Sequence, residues 1–159
     1  MAQSSVKGFI MRTLSDIFDP RSIKLNLEGK TKDAVFIELI DAITAVNPEC
    51  DRASVLASMW ERENKLSTGI ISGVAIPHAL CEKINNIAGA IGISQTGIEY
   101  DALDNKPVHV VFMLVIGGSE REEHLHVLNQ ISMLAQSEFL AAIKKAQNTQ
   151  TIQTILSRF

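Results

Sequence analysis

The amino-acid sequence predicts a three-layer α/β/α sandwich, and three observations carry that expectation. Residues 108–116, V-H-V-V-F-M-L-V-I, are apolar on both faces apart from His109, as a strand covered by helices on either side would be. Two further segments rich in β-branched residues, 73–76 and 87–93, stand ahead of it. Segments of helical period flank this block, two before it and three after, so both faces of one sheet can be covered.

A short helix near residues 13–18 opens the pattern. Ile23, Leu25 and Leu27 then alternate with Lys24 and Asn26, the period of a strand with one buried face. Thr31 is placed to cap a helix in which Val35, Phe36, Leu39, Ile40, Ile43 and Val46 recur at helical spacing, and the helix stops before Pro48. Asp51 caps a second helix, with Val55, Leu56 and Met59 on its apolar side and Glu61, Arg62, Glu63 and Asn64 at its polar end. After the three apolar segments, Ser119 and Glu122 form the S-x-x-E pattern of a capping box. That helix runs to about Gln136, and others follow from Ser137 and from about Thr149.

At 159 residues and 17.4 kDa the chain suits one domain. No repeat, low-complexity tract or linker-like stretch divides it. Residues 11–159 therefore read as a single domain and 1–10 as a flexible N-terminal extension, with Met11 an equally good opening. Lys plus Arg total 15 against 18 Asp plus Glu, a net charge of -3 without the basic excess that a nucleic-acid backbone requires. The N-terminus lacks the apolar run of a secretory signal, and nothing approaches the roughly 20 apolar residues that cross a bilayer, so no membrane insertion is expected. Cys50 and Cys81 could make at most one disulfide, and a chain of this size folds without that staple, which points to a reducing, cytoplasmic compartment.

The stretch S-T-G-I-I-S-G-V-A-I-P-H-A-L at residues 67–80 surrounds a lone imidazole with two glycines and a proline. Gly69 and Gly73 open backbone conformations closed to other residues. Pro77 fixes its own φ and pushes Ile76 toward an extended one, so His78 leaves the strand from a stiff platform. A neutral imidazole, with an ordinary pKa of about 6.5, has a free ring nitrogen that can accept and surrender a group near neutral pH. From spacing alone His78 reads equally as a turn histidine with a capping or packing role.

His124 shares a helical stripe with Leu128, Ile131 and Ala135, so it faces inward from the first turn. There the positive end of the dipole and free backbone N–H groups favour an anion; the other reading is a histidine satisfied at the edge of the core. His126 lies about 200° away around the same helix, and His109 is assigned to structure. His78 and Cys81 stand at H-x-x-C spacing, but no C-x-x-C or H-E-x-x-H completes a tetrahedral set, so no metal is expected. T-G-I-I-S-G lacks the ending of a P-loop and no G-x-G-x-x-G occurs, so neither ATP nor NAD is indicated and no cofactor is expected.

The run S-T-G-I-I-S-G-V-A-I-P-H-A, with E-R-E at Glu61 to Glu63 before it and F-M-L-V and H-L-H-V-L after it, resembles the fructose/mannitol type of enzyme IIA. That is the phosphoryl-carrier domain of the bacterial phosphoenolpyruvate-dependent phosphotransferase system. The resemblance spans nearly the whole chain from Met11. Y-D-A-L-D-N-K-P-V at residues 100–108 and H-L-H at 124–126 look most like the nitrogen-regulatory branch. The resemblance implies a mixed sheet of about four to five strands between helical layers. It also implies a phosphocarrier that accepts its phosphoryl group from an HPr-type phosphohistidine donor, without ATP, and regulates target proteins by its phosphorylation state. The alternative is a sugar-specific IIA that passes phosphate to an enzyme IIB.

Carried over onto matching positions, the phosphorylated histidine falls on His78, the second active-site histidine on His124, and the active-site arginine on Arg62, whose other reading is a solvated charge at a helix end. Arg62, His124 and the N–H groups of the helix opened by Ser119 would spread the charge on the phosphoryl oxygens. Thr68 is expected to add a hydroxyl to the phosphoryl site and Gly73 to support it. Val74, Ile76 and Ala79 flank His78, and some of them are expected to form a partly exposed apolar collar for the donor. V-I-G-G-S-E departs from relatives that often carry a proline there, which implies a differently shaped loop before His124.

Overall fold

The computed structural model describes residues 12–118 and 121–159. The expectations for residues 1–10 and for Ser119 lie outside the described residues. Thr13 precedes α1 (Leu14–Ile17), its backbone N–H donating to Asp16 Oδ2 at 2.9 Å, and the chain passes directly into β1 (Phe18–Lys24). α2 (Lys32–Val46) begins at Thr31, whose hydroxyl oxygen accepts from the Ala34 N–H at 3.3 Å. α3 (Arg52–Glu63) begins at Asp51, whose carboxylate accepts from the Ser54 N–H at 3.0 Å. Each cap supplies an acceptor to an N–H that has no partner inside its helix. Four strands follow: β2 (Val74–Ala75), β3 (His78–Cys81), β4 (Ile87–Ile98) and β5 (Val108–Gly117). Three helices complete the chain: α4 (Arg121–Ala135), α5 (Phe139–Lys145) and α6 (Thr149–Leu156), the last capped by Asn148 through the Thr151 N–H at 2.9 Å.

The strands make one mixed five-stranded sheet in the order β1-β4-β5-β2, with β3 also paired to β5. β4 and β5 are antiparallel, and every other pairing is parallel. Because β4 occupies one edge of β5, β2 and β3 share the other: Val74 lies opposite Val110, His78 opposite Leu114 and Cys81 opposite Gly117. They form a single edge line interrupted at Ile76 and Pro77. Proline has no N–H for a ladder, but its carbonyl accepts from the Leu114 N–H at 3.0 Å.

β5 is the centre of the molecule. Val111, Met113 and Val115 pack with α2 and α3, whereas Val110, Phe112, Leu114 and Ile116 pack with α1, α4, α5 and α6. Its two apolar faces are each covered by a helical layer, as the sequence pattern requires.

Two strand expectations need correction. The first strand runs over Phe18–Lys24 and not over Ile23 to Leu27. Ile23 and Leu27 do not share a face: Ile23 joins the layer of α1 and α4–α6, and Leu27 the layer of α2 and α3. The chain bends between them, so their spacing does not mark one strand. His78, read as leaving a strand, instead opens one, because the parallel register resumes on β5 once Pro77 is passed.

Candidate active site

The pleat of β3 sends Ala79 and Cys81 into the core beneath α2 and α3, and so turns His78 and Leu80 the other way, toward α4. The ring of His124, in the first turn of α4, meets the ring of His78 edge to face, with centroids 5.3 Å apart. Thus two residues 46 positions apart in sequence share one site, brought together by the β3–β5 register and the packing of α4 on the sheet. His78 Nδ1 lies 3.0 Å from the Ile76 carbonyl oxygen. A carbonyl only accepts, so this nitrogen carries the proton and Nε2 keeps its lone pair.

Arg62 reaches the same place from the last turn of α3, its Nη1 donating to the Leu66 carbonyl at 2.8 Å. Arg62, His78 and His124 line one open cleft of about 500 Å³ between α3, β3 and the start of α4. The α3 wall is fixed against the strand by the Leu80 N–H, which donates to Ser58 Oγ at 3.2 Å. Exposed Leu80 and Leu125 form an apolar rim on this cleft.

Both imidazoles titrate below their ordinary value. For His78 the main cause is burial, which disfavours the charged ring; the bond to the Ile76 carbonyl opposes this, Arg62 adds to it, and the Glu63 charge opposes it more weakly. For His124 burial again leads, followed by the charge His78 would carry. His124 Nε2 is buried and has no hydrogen-bond partner among the described residues. The arrangement presents one nucleophilic ring nitrogen, a guanidinium and a second imidazole to a single volume.

Other expected residues lie elsewhere. Thr68 does not face the cleft: it is buried, with its hydroxyl donating to Glu63 Oε2 at 2.7 Å and 2.7 Å from the Tyr100 hydroxyl. Gly73 stands before β2 at φ +75°, a conformation that favours glycine, and its carbonyl accepts from the N–H groups of His109 and Val110. Val110 and Leu114 mark the β5 positions level with Val74 and with His78, about 13 Å of strand apart, and Gly73 lies one residue farther from the site. Val74, Ile76 and Ala79 are all buried; of the three Ala79 still borders the cleft, but its exposed apolar rim is made by Leu80 and Leu125. His109 is held by the Ser94 carbonyl, 2.9 Å from Nδ1.

The residue that sequence reasoning missed is Glu63, the buried acceptor behind Arg62. A signal existed: a carboxylate at the negative C-terminal end of a helix is disfavoured unless partners hold it.

Comparison with known proteins agrees with this geometry. The family model described as "Phosphoenolpyruvate-dependent sugar phosphotransferase system, EIIA 2" matches residues 16–159. The chain is 32% identical over 146 residues to the PTS system fructose-specific EIIABC component of Bacillus subtilis, covering 91% of this chain but 23% of that longer protein. It is 30% identical to the PTS system fructose-specific EIIA component of Haloferax volcanii, covering 91% of this chain and 94% of the relative. The crystal structure of nitrogen regulatory protein IIA-Ntr from Neisseria meningitidis superposes with a TM-score of 0.83 at 26% identity, over 90% of this chain and 98% of that one. A family match over most of the chain, on a mixed sheet shared with a solved relative, establishes that this chain belongs to the EIIA 2 family of the phosphoenolpyruvate-dependent phosphotransferase system and is a phosphotransferase component.

Proposed function

We propose that the chain is a phosphocarrier that takes a phosphoryl group onto His78 Nε2 from an HPr-type phosphohistidine donor, and that its phosphorylation state regulates other proteins. The observation that carries this reading is the His78–His124 ring pair, with His78 Nδ1 held by the Ile76 carbonyl and Nε2 left as the nucleophile. The Nε2 lone pair attacks phosphorus in line, and the donor's N–P bond breaks with its electron pair returning to the donor imidazole. No ATP takes part. In this reading Arg62 meets the charge on the phosphoryl oxygens and His124, whose Nε2 has no partner among the described residues, hydrogen-bonds one of them, so the chain supplies positioning and electrostatics. The lowered pKa of His78 keeps it neutral: even an unshifted imidazole is about three-quarters neutral at pH 7, and a lower one more so.

Phosphorylation adds about -1.5 to -2 charge at one point inside an unchanged apolar rim. Partners can therefore read the state electrostatically while docking on Leu80 and Leu125. A second reading, a sugar-specific IIA that hands phosphate to an enzyme IIB, is favoured by the fructose-specific names of two of the relatives, 32% and 30% identical.

The test is incubation with phosphoenolpyruvate, enzyme I and HPr, with phosphosite mapping under alkaline conditions in the wild type and in His78→Ala. Alkali-stable, acid-labile phosphate on His78 is expected, and phosphate retained by His78→Ala would overturn the assignment. Titrating candidate partners with both forms then separates the two readings. A tenfold difference in affinity for some partner supports regulation; equal affinities with efficient transfer to an enzyme IIB support uptake.

A further inference from the structure

Glu63, 4% exposed, ends α3 with its carboxylate at the negative end of the helix dipole, which is unfavourable without strong partners. Its Oε1 accepts from the Thr68 N–H at 3.0 Å and pairs with Lys32 Nζ at 3.0 Å, while Oε2 accepts from the Thr68 hydroxyl at 2.7 Å. With its own proton directed at Glu63, Thr68 Oγ1 accepts from the Tyr100 hydroxyl at 2.7 Å. Lys32 lies over the Tyr100 ring, 4.6 Å from its centroid. The buried hydroxyls and the carboxylate all have partners, and such complete networks hold their members in one geometry.

Glu63 and Thr68 do not line the cleft, yet both connect to it through the backbone. Glu63 follows Arg62, which donates to the Leu66 carbonyl inside the turn that the Glu63–Thr68 bonds close. The Thr68 carbonyl accepts from the Ile76 N–H at 3.2 Å, and the Ile76 carbonyl holds His78 Nδ1. A continuous path of hydrogen bonds therefore runs from Glu63 to the ring tautomer of His78.

We infer that Glu63 is a positioning residue for His78 and Arg62, setting the Nδ1–H tautomer of His78 through Thr68 and Ile76 and the reach of Arg62 through the turn at Leu66. Its effect on rate rests on the transfer reading proposed above; its effect on the tautomer does not. Glu63→Gln turns an NH₂ toward Lys32 or Thr68 and breaks the pattern. Thr68→Val removes both hydroxyl bonds, the one to Glu63 and the one from Tyr100, and keeps the Thr68 N–H bond; Thr68→Ser retains all three.

The experiment combines ¹⁵N NMR of the imidazole nitrogens with the rate of phosphoryl acceptance from phosphorylated HPr. His109, held independently by Ser94, reports that each variant is folded. The wild type is expected to show one His78 tautomer, protonated at Nδ1. Glu63→Gln is expected to show a tautomer mixture and acceptance at least tenfold slower; Thr68→Val should shift both readouts in the same direction by less, and Thr68→Ser should restore them. A folded Glu63→Gln with wild-type tautomer and rate would overturn the inference. If Glu63→Gln does not fold, the Thr68→Val and Thr68→Ser pair decides: no difference between them in tautomer overturns it. If the wild type accepts no phosphoryl group, the transfer reading falls and the tautomer measurement alone decides the role of Glu63.

Discussion

A methyl group added at Gly117 would stand 2.5 Å from the Ile84 carbonyl oxygen, 2.8 Å from that of Asn86 and 3.1 Å from the Asn86 nitrogen. All three are backbone atoms of the turn between β3 and β4, so no side chain can swing aside. Relief requires a shift of roughly an ångström, and overpacking of this kind costs about 1–3 kcal/mol. The same shift strains the bond from the Gly117 N–H to the Asn86 carbonyl, at 2.9 Å, which adds about 0.5–1.5 kcal/mol. At about 2–4 °C per kcal/mol for a chain of this size, Gly117→Ala should melt at least several degrees below the wild type.

The neighbouring glycine is the control. Among the described residues a Cβ at Gly118 has nothing nearer than Glu82 at 3.8 Å, so Gly118→Ala should stay within about 0.5 kcal/mol of the wild type. Because Gly117 pairs with Cys81 at the end of the strand that His78 opens, its displacement should also misplace His78 against His124 and slow phosphoryl acceptance about tenfold or more. Thermal unfolding by circular dichroism and the acceptance assay measure the two effects. Equal melting temperatures for the two variants would refute the packing argument, and an unchanged rate in a destabilised Gly117→Ala would refute the coupling to the site.

His78→Ala should accept no phosphate and yet melt close to the wild type, since the half-buried ring borders an open cleft; a cooperative loss of structure by circular dichroism would contradict this. His124→Ala should still be phosphorylated on His78 but about 10–100-fold more slowly, because a charge-stabilising partner and not the nucleophile is lost; wild-type rates in rapid-quench kinetics would return His124 to a packing role. Both imidazoles titrate lower in the folded chain than the value of about 6.5 expected when unfolded, so below that pH the unfolded state binds more protons. Their effect is absent at pH 8, and stability should fall as pH drops below about 6.5, levelling only below the folded pKa values. Urea midpoints between pH 8 and 5 should show this slope, reduced in His124→Gln, and a slope unchanged in that variant would count against it. Burial, with the charge of Cys81 second, pushes the Cys50 thiol up to about 12; iodoacetamide at pH 7.5 should therefore spare Cys50 in native protein and modify it once unfolded.

The sequence by itself determined the elements whose signals are local or complete. Thr31 and Asp51 offer capping oxygens next to apolar residues at helical spacing, and both helices begin there. Residues 108–116 are apolar on both faces, a pattern satisfied only by burial between two layers, and β5 is so buried. The stiff platform under His78 was likewise legible, because proline and the residue before it are restricted by their own covalent geometry.

Only the tertiary structure decided which side chains meet. The alternation at Ile23, Leu25 and Leu27 has the period of a strand, but a bend sends Ile23 and Leu27 to opposite layers. The pleat that turns Ala79 inward and Leu80 outward depends on the register β3 adopts on β5, so the apolar rim could not be read from hydrophobicity alone. Thr68 lies close in sequence to His78, yet its hydroxyl serves Glu63, because a buried carboxylate must collect donors wherever the fold brings them. The physical reason is common to all three: periodicity and capping act within a few residues of one segment, whereas a site made by α3, β3 and α4 exists only once long-range pairing and packing have chosen a single register.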